Sequence, residues 1–516
     1  ETMRLTADGD LGIGTNRHDT VVGSGVTAKL SVGIVSAYQF YGDGSNLTNV
    51  GAAATNAWAP DSQENLVAGT NAGASRDADT ERNVIIGEEA GRKLDAGDNN
   101  VLLGWKSGNL STTGGCNVMI GSGAGIAHAT GNYNTFIGSY VAKCATGGSY
   151  NNFFGEGAGR CKIGNDSIAI GRNSLKGSST VGNNSGGLNI AIGKESGSSM
   201  TSGSQNTIVG VNAGKTIDAG AGNTLLGANA GEEITSGGYN VFAGDTAGGK
   251  VSTGGYNIGL GYEALGNGVV TASYNVALGH HAGRSVTSGT GNVLIGCKAG
   301  DAVTTGNGFV AIGESALGAE DGTSYAVAIG YEALKTQSAD FGHNVAIGYR
   351  AGYAGSAAGF SGNVFMGYSA GSGFTDGSDN TSIGMMSYSS TSTGTRNTAL
   401  GGSAGRQNTG SDNVIIGACA GDAAGSGAQN TMVGQQSGSA VTNGNNNTFL
   451  GYTSGDAVTT GCCNVVIGKG ADVPSITGNC QLAIGIDANN WIVGSANWNV
   501  GIGTTNADAP VGSGST

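Results

Sequence analysis

The sequence predicts an all-β fold: a fibrous, trimeric β-solenoid or β-roll built of stacked 17-residue coils. Three observations predict it. A five-residue element, Asn followed by three mostly apolar residues and a Gly, recurs along the chain, as in residues 83–87 (Asn-Val-Ile-Ile-Gly) and 100–104 (Asn-Val-Leu-Leu-Gly). Gly fills 101 of 516 positions at spacings that would break any helix within a few residues. Charged residues make up only 11% of the chain, against about 25% in ordinary globular domains. Pro occurs three times and Gly does not recur at every third position, which excludes collagen. With 38% apolar residues and a net charge of −13, simple disorder is not expected either.

Each part of the repeat has a physical reason. The Val, Ile and Thr between Asn and Gly favour an extended strand. Gly87, Gly104, Gly121, Gly138 and Gly155 close successive copies at a step of 17, and from Gly69 to Gly503 there are 26 copies. Asn opens 22 of them, with Ser167, Phe309, Ala326 and Gln481 as the exceptions. Gly serves where the path turns with positive φ. A second anchor follows four residues later, as in Ala90-Gly91, Ala213-Gly214 and Ala299-Gly300, and then a Thr-rich turn. One such coil cannot bury a core, but stacking pairs every strand with its neighbours.

At about 4.8 Å between coils, the recurring Asn is expected to form an amide ladder. The Ile, Leu or Val just before the Gly is expected to face inward, and the Ala or Ser of the second anchor to keep the interior narrow. So thin an interior cannot take all three apolar strand positions, so some must meet another chain in a homotrimer. Twenty-six coils would give a rod on the order of 120 Å.

The repeats assign residues 65–490 to the solenoid, 1–50 to an N-terminal connecting module, 51–64 to a linker, and 491–516 to a last coil and the start of a further module. The 23 basic and 36 acidic residues include no basic cluster, so nucleic acid and anionic lipid are not expected partners. No apolar run approaches the roughly 18 residues that span a bilayer, and no membrane insertion is expected.

Residues 344–348 (Asn-Val-Ala-Ile-Gly), with Ala351 following, resemble the head repeat of trimeric autotransporter adhesins of the YadA kind, over residues 65 to about 503. The step in that family is shorter and variable. The flanks resemble phage tail fibres: Leu-Gly-Ile-Gly-Thr-Asn at 11–16, Ala-Lys-Leu-Ser-Val at 28–32 and Phe-Tyr-Gly-Asp-Gly-Ser-Asn-Leu-Thr at 40–48 match their GIGTT, KLDV and FxGDGSxLT elements. Residues 499–506 repeat the first of these. The resemblance implies a trimeric shaft of a viral adhesion fibre on a virion, joined to other tail proteins and presenting a surface to a host glycan or protein receptor. The alternatives are a bacterial trimeric adhesin on the cell surface and a polysaccharide-degrading tailspike. An ice-binding solenoid is a more distant reading, suggested by the Thr-Thr-Gly turns at Thr112, Thr304 and Thr459.

Candidate sites are few. Glu314 and Glu332 lie on adjacent coils, where one coil step fits the shorter carboxylate separation of a retaining glycosidase, about 5 Å; two carboxylates on a solvated bend are the commoner case. No catalytic residue is assigned, no enzyme activity is expected, and no cofactor is implied. His280-His281 is the nearest approach to a metal site, but His281 projects between Glu263 and Lys298 in a surface charge column, and no metal ligand is assigned. Cys144 with Cys161, and Cys463 with Cys480, share columns on adjacent coils. Parallel Cβ vectors about 4.8 Å apart exceed the preferred disulfide Cβ separation of about 3.5–4.5 Å, so free, mostly buried thiols are expected, which suits a reducing cytoplasm. Tyr331, Tyr349 and Tyr368 follow the repeat Gly on three successive coils, and Tyr239, Tyr256 and Tyr274 precede the strand on three others. Such ladders either reinforce the stack, meet a partner chain, or bind sugar. Period breaks occur between Gly171 and Gly193, inserting a loop near 176–187, and between Gly348 and Gly367, where Tyr353 and Phe360 fall in the extra turn. Tyr331, Tyr349, Tyr368, Tyr353 and Phe360 are therefore the expected glycan or receptor contact.

Overall fold

The structure is a computed structural model. It describes residues 3–5, 11–13 and 60–503, apart from 180–183, 269–270, 320–324, 338–341, 356–359, 391–392, 424 and 498. The chain forms two units, Glu1–Ala57 and Trp58–Thr516. In the first, strand β1 (Met3–Leu5) pairs antiparallel with β2 (Leu11–Ile13). The motifs expected at 28–32 and 40–48 lie outside the described residues.

The second unit is the solenoid, and every element described in it is a strand, turn or bend. Strand β3 (Leu66–Ala68) is followed by one three-residue strand per coil up to β26 (Val465–Ile467). Each pairs in parallel and in register with the strands one coil away: Val276 with Val293, Val293 with Val310, Val310 with Val327. Repeat glycines are stacked neighbours, since a methyl placed on Gly138 would lie 2.7 Å from the Gly155 carbonyl oxygen. Two constraints thus coincide at this column: φ is +139° at Gly138 and +135° at Gly227, and no room exists for a Cβ.

The Asn ladder sets the register. The Asn223 backbone N–H and Nδ2 both donate to Asn206 Oδ1, at 2.9 and 3.0 Å. Asn223 Nδ2 also donates to the Gly237 carbonyl in its own coil, and its Oδ1 accepts from the Asn240 backbone and side chain. The buried amide is thereby satisfied, and donation runs toward the preceding coil. Phe309 and Ala326, both fully buried, interrupt the ladder on two successive coils.

Because Asn points inward and strand side chains alternate, the second residue after it also points inward. The central strand residue is therefore the core: Ile85, Leu102, Phe242 and Leu294 are at most 1% exposed, while the residues on either side are half-buried or exposed. This corrects the expectation that the residue before the Gly faces inward. The Ala or Ser of the second anchor is buried as expected, as at Ala90, Ser107 and Ala213.

Core volume is balanced within and between coils. Where the strand centre is Ala169, Gly259, Ala311, Ala328 or Ser382, the second-anchor Gly is replaced by Leu175, Leu265, Leu317, Leu334 or Tyr388. These five residues have φ between +45° and +55° and are fully buried. In the coil of Ala277 and Gly283 both positions are small, and the neighbours fill the space: a Cβ on Gly283 would meet Leu294 Cδ1 at 2.6 Å and Leu265 Cδ2 at 3.1 Å.

Two further expectations are corrected. Cys144 and Cys161 form a disulfide, their Cα atoms 4.5 Å apart. This is closer than the sheet spacing of about 4.8 Å and inside the bridgeable range, so adjacent coil positions can be joined. The free thiols are not mostly buried: Cys116, Cys297, Cys463 and Cys480 are exposed, because bend positions point their side chains outward. The coil count is also lower. Strand β27 (Leu482–Ile486) is the last parallel strand; β28 (Asn489–Gly494) and β29 (Val500–Ile502) return antiparallel, so Gly503 closes a meander rather than a coil. The meander covers the open edge of β27. Its last pair repeats the register of β1 and β2: Leu5 faces Leu11 as Gly494 faces Val500, and Met3 faces Ile13 as Ile492 faces Ile502.

Two buried bases occupy a third interior column. Burial lowers the pKa of His128 to about 4, and its Nε2 lies 3.1 Å from Asn134 Nδ2, where an added proton would oppose another N–H. Burial lowers the Lys162 ammonium to about 8; its Nζ donates to the Thr201 carbonyl at 3.4 Å.

Asn223→Ala is expected to cost roughly 2–4 kcal/mol, since it orphans the Asn240 N–H and the Gly237 carbonyl; hydrogen exchange of the adjacent strand amides reads it. His128 binds protons more weakly folded than unfolded, so its contribution is complete above about pH 6.5 and is lost as pH falls toward 4, by about 3 kcal/mol. His128→Leu should flatten that acid limb in urea titrations. Lys162 gives a rise in stability between about pH 8 and 10.5 by the same linkage, and Lys162→Met should stabilise the neutral-pH protein and abolish the rise.

Candidate functional site

The outer face of the parallel sheet is an outward surface that continues from coil to coil. The two residues flanking each buried strand centre stack in register into columns, Val276, Val293, Val310 and Val327 on one side, Leu278, Ile295, Ile312 and Ile329 on the other. Ile170, Leu226 and Leu450 in the second column are 40–48% exposed. Parallel sheets are ordinarily covered on both faces, and an apolar strip of this length is of the kind that marks an interaction surface.

The bends carry side-chain ladders. The residue before the Asn and the second residue after the repeat Gly are left-handed, with φ of +58° at Tyr256 and +54° at Glu332. The structure brings Tyr331, Tyr349 and Tyr368 into one stack, with ring centroids 5.3 and 5.0 Å apart and planes within 8°. Arg350 lies over both Tyr349 and Tyr353, 5.3 and 5.2 Å from the ring centroids. The inner faces of the stack are thus taken up by the rings themselves, and a ligand alongside the stack would meet ring edges and hydroxyls. Phe360 is corrected: it is 1% exposed and stacks on the core residue Phe365, so it cannot belong to a surface strip. Of the extra turn, residues 356–359 lie outside the described residues, as do 180–183 of the other insertion. The latter's end is anchored inward, with the fully buried Asn184 donating to the Ser178 carbonyl.

The second ladder, Tyr239, Tyr256 and Tyr274, has centroids 5.1 and 5.2 Å apart. It walls a groove of about 380 Å³ lined on its other side by Ser236, Thr253 and Ser273. Sequence reasoning found the ladder but not the groove; the signal available was the run of Ser, Thr, Ala and Gly just ahead of each Tyr.

Glu332 and Glu263 are ion-paired. Arg350 Nε donates to Glu332 Oε2 at 2.7 Å and Lys335 to Oε1. The Lys335 hydrogen bond, with that of Arg350, holds the Glu332 carboxyl below its usual range, so it is an ionised ion-pair partner and not a proton donor. Glu314 occupies the neighbouring column rather than that of Glu332. His281 Nε2 lies 3.2 Å from Glu263, and its pKa is lowered by burial and by His280. A pocket of about 360 Å³ gathers His281, Arg284 and Lys298, but Asp301 lines it too and Glu263 pairs with the first two. Among the described residues no group of three or more His, Cys, Asp or Glu is placed to hold a metal.

No protein-family model, curated protein or solved structure matches the chain. What the surface can do is therefore argued from its own geometry. Tyr349→Ala is expected to cost about 1–3 kcal/mol, since it removes two ring stacks of about 0.5–1.5 kcal/mol each; protease susceptibility of the local coils measures it.

Proposed function

We propose that the chain is the shaft of an adhesion fibre of the phage tail-fibre kind. Three copies pack their outer strand faces together and project a stiff rod, with a receptor-contacting surface or tip, toward a host cell. The observation that carries this reading is the apolar column before the repeat Gly on the outer face, flanked by Val or Ile on most coils and by Thr or Asn on others, which a solvated single chain would leave wet. Burying such in-register Val, Ile and Leu contributes about 25 cal/mol per Å² removed from water, repeated at every coil. Three copies, rather than two, follow from the resemblance of repeat and flanks to trimeric fibres. The matching registers of the hairpin β1–β2 and of β28–β29 support the flanks as one kind of connecting element, used on either side of the solenoid. On this reading the partners are two further copies, other tail proteins and a host glycan or protein receptor, and the protein resides on the virion.

The rod supplies no chemistry. Its work is mechanical: the amide ladder resists shear between coils, the strands resist extension, and the exposed bends carry variable side chains without disturbing the core.

Sedimentation equilibrium should give three times the 50.4 kDa of one chain. Ile295→Lys with Ile312→Lys should dissociate the assembly while leaving the coils folded. A stable, folded wild-type monomer would contradict the proposal.

A further inference from the structure

The left-handed column before each Asn carries Tyr239, Tyr256 and Tyr274, then Gly291 and Gly308, then Tyr325. Two rungs are missing from one aromatic column. In-register pairing of the intervening strands keeps Tyr274 and Tyr325 in line, three coil steps or about 14 Å apart. A Cβ placed on Gly291 meets nothing within 4 Å. One placed on Gly308 meets the Tyr325 ring at 2.9 Å, as one on Gly222 meets Tyr239 at 2.8 Å, so Tyr325 leans over Gly308 and the clear rung is at Gly291. One face of Tyr274 is stacked on Tyr256; the other looks onto this opening. Tyr274 and Tyr325 are 64% and 63% exposed, more than Tyr239 and Tyr256 at 57% and 53%.

The opening has a definite chemistry. Residues 271–276, 288–293 and 305–310 include no charged side chain. Beside the gap, the Thr290 N–H and hydroxyl both donate to Asn307 Oδ1, at 2.7 and 2.9 Å. The groove lined by Ser236, Thr253 and Ser273 runs along the ladder as far as Tyr274. A ring with apolar C–H faces and a rim of hydroxyls fits both features, because its faces stack on aromatic rings and its hydroxyls find neutral hydrogen-bonding partners.

We propose that the gap at Gly291 binds a neutral glycan, with one pyranose ring stacked on the open face of Tyr274, Tyr325 bounding the far end of the gap, and the following sugar units lying in the hydroxyl-lined groove. A flat aromatic ligand would use the faces but leave the groove empty, and an acidic sugar would find no counter-charge. The site requires neither the viral reading nor the trimer, and it differs from the Tyr331 ladder, whose inner faces are closed.

Gly291→Tyr tests it. Tyr is accommodated at this position of the coil, since Tyr274 and Tyr325 have φ of +63° and +68°, close to the +68° of Gly291. The full chain is titrated calorimetrically with neutral glucan, galactan and mannan oligosaccharides, and with a sialylated oligosaccharide as the acidic probe. At least one neutral glycan should bind the wild type, Gly291→Tyr and Tyr274→Ala should weaken it at least tenfold, and Tyr150→Ala, in the separate Tyr133–Tyr150 stack, should change it less than twofold. Undiminished binding by Gly291→Tyr, binding of the acidic probe alone, or no binding of any neutral glycan would overturn the proposal. A Gly291→Tyr chain with an altered assembly state would assign the gap to a neighbouring copy and overturn it as well. Host-cell adsorption tests the fibre reading separately, because a wild-type chain that binds a neutral glycan without adsorbing to host cells keeps the slot and loses the fibre reading.

Discussion

A buried amide that must be satisfied once per coil governs the molecule. Asn223 answers the backbone N–H of the next coil, donates to the previous amide, and ties the strand to the Gly237 carbonyl of its own coil, and most rungs repeat this pattern. Slipping one coil by a residue would expose that amide and bury a polar bend, so the register is enforced at every step. The same inward Asn fixes strand parity. It puts the central residue in the core and turns its two neighbours out, and from that single choice follow both the narrow interior and the long aliphatic outer face.

The interior tolerates variation because volume is shared. Phe242 with Gly248, Gly259 with Leu265, and Ala277 between two bulky neighbours are different solutions to one cross-section. Left-handed Leu at the second anchor costs backbone strain of order 1 kcal/mol, which its full burial offsets at about 1.5–3 kcal/mol. His128 and Lys162 show that the third interior column also accepts bases, at the cost of holding them toward their neutral forms.

Function on such a scaffold belongs to columns rather than to clefts. A side chain repeated at one bend position becomes a ladder whose rings consume each other's faces, so a continuous ladder is reinforcement and its interruption is an opportunity. Glu332, Arg350 and Lys335 follow the same logic with charge: Glu332 pairs with Arg350 on the next coil and with Lys335 in its own, and the pairing leaves little free reactivity.

The repeat, its 17-residue step, the parallel strands, the amide ladder and the tyrosine stacks were all legible in the sequence, because a stacked repeat converts sequence spacing directly into spatial neighbourhood. The substitution of Leu for Gly after Ala264, Ala316 and Ala333 was also there to be read as compensation for a small strand centre. What spacing alone left open was which way a side chain points and how near two columns come. Ile86 and Ile295 face out because the Asn takes the inward parity; Phe360 is core because its ring stacks on Phe365. Cys144 and Cys161 are joined because their coils approach to 4.5 Å, and the chain after Ile486 turns back because an antiparallel strand takes the edge a further coil would have used. The period and the stacking partners depend only on repetition and can be read from residue spacing. The tertiary structure decided parity, closeness and the gap at Gly291, which depend on how three-dimensional volume is shared between neighbouring coils.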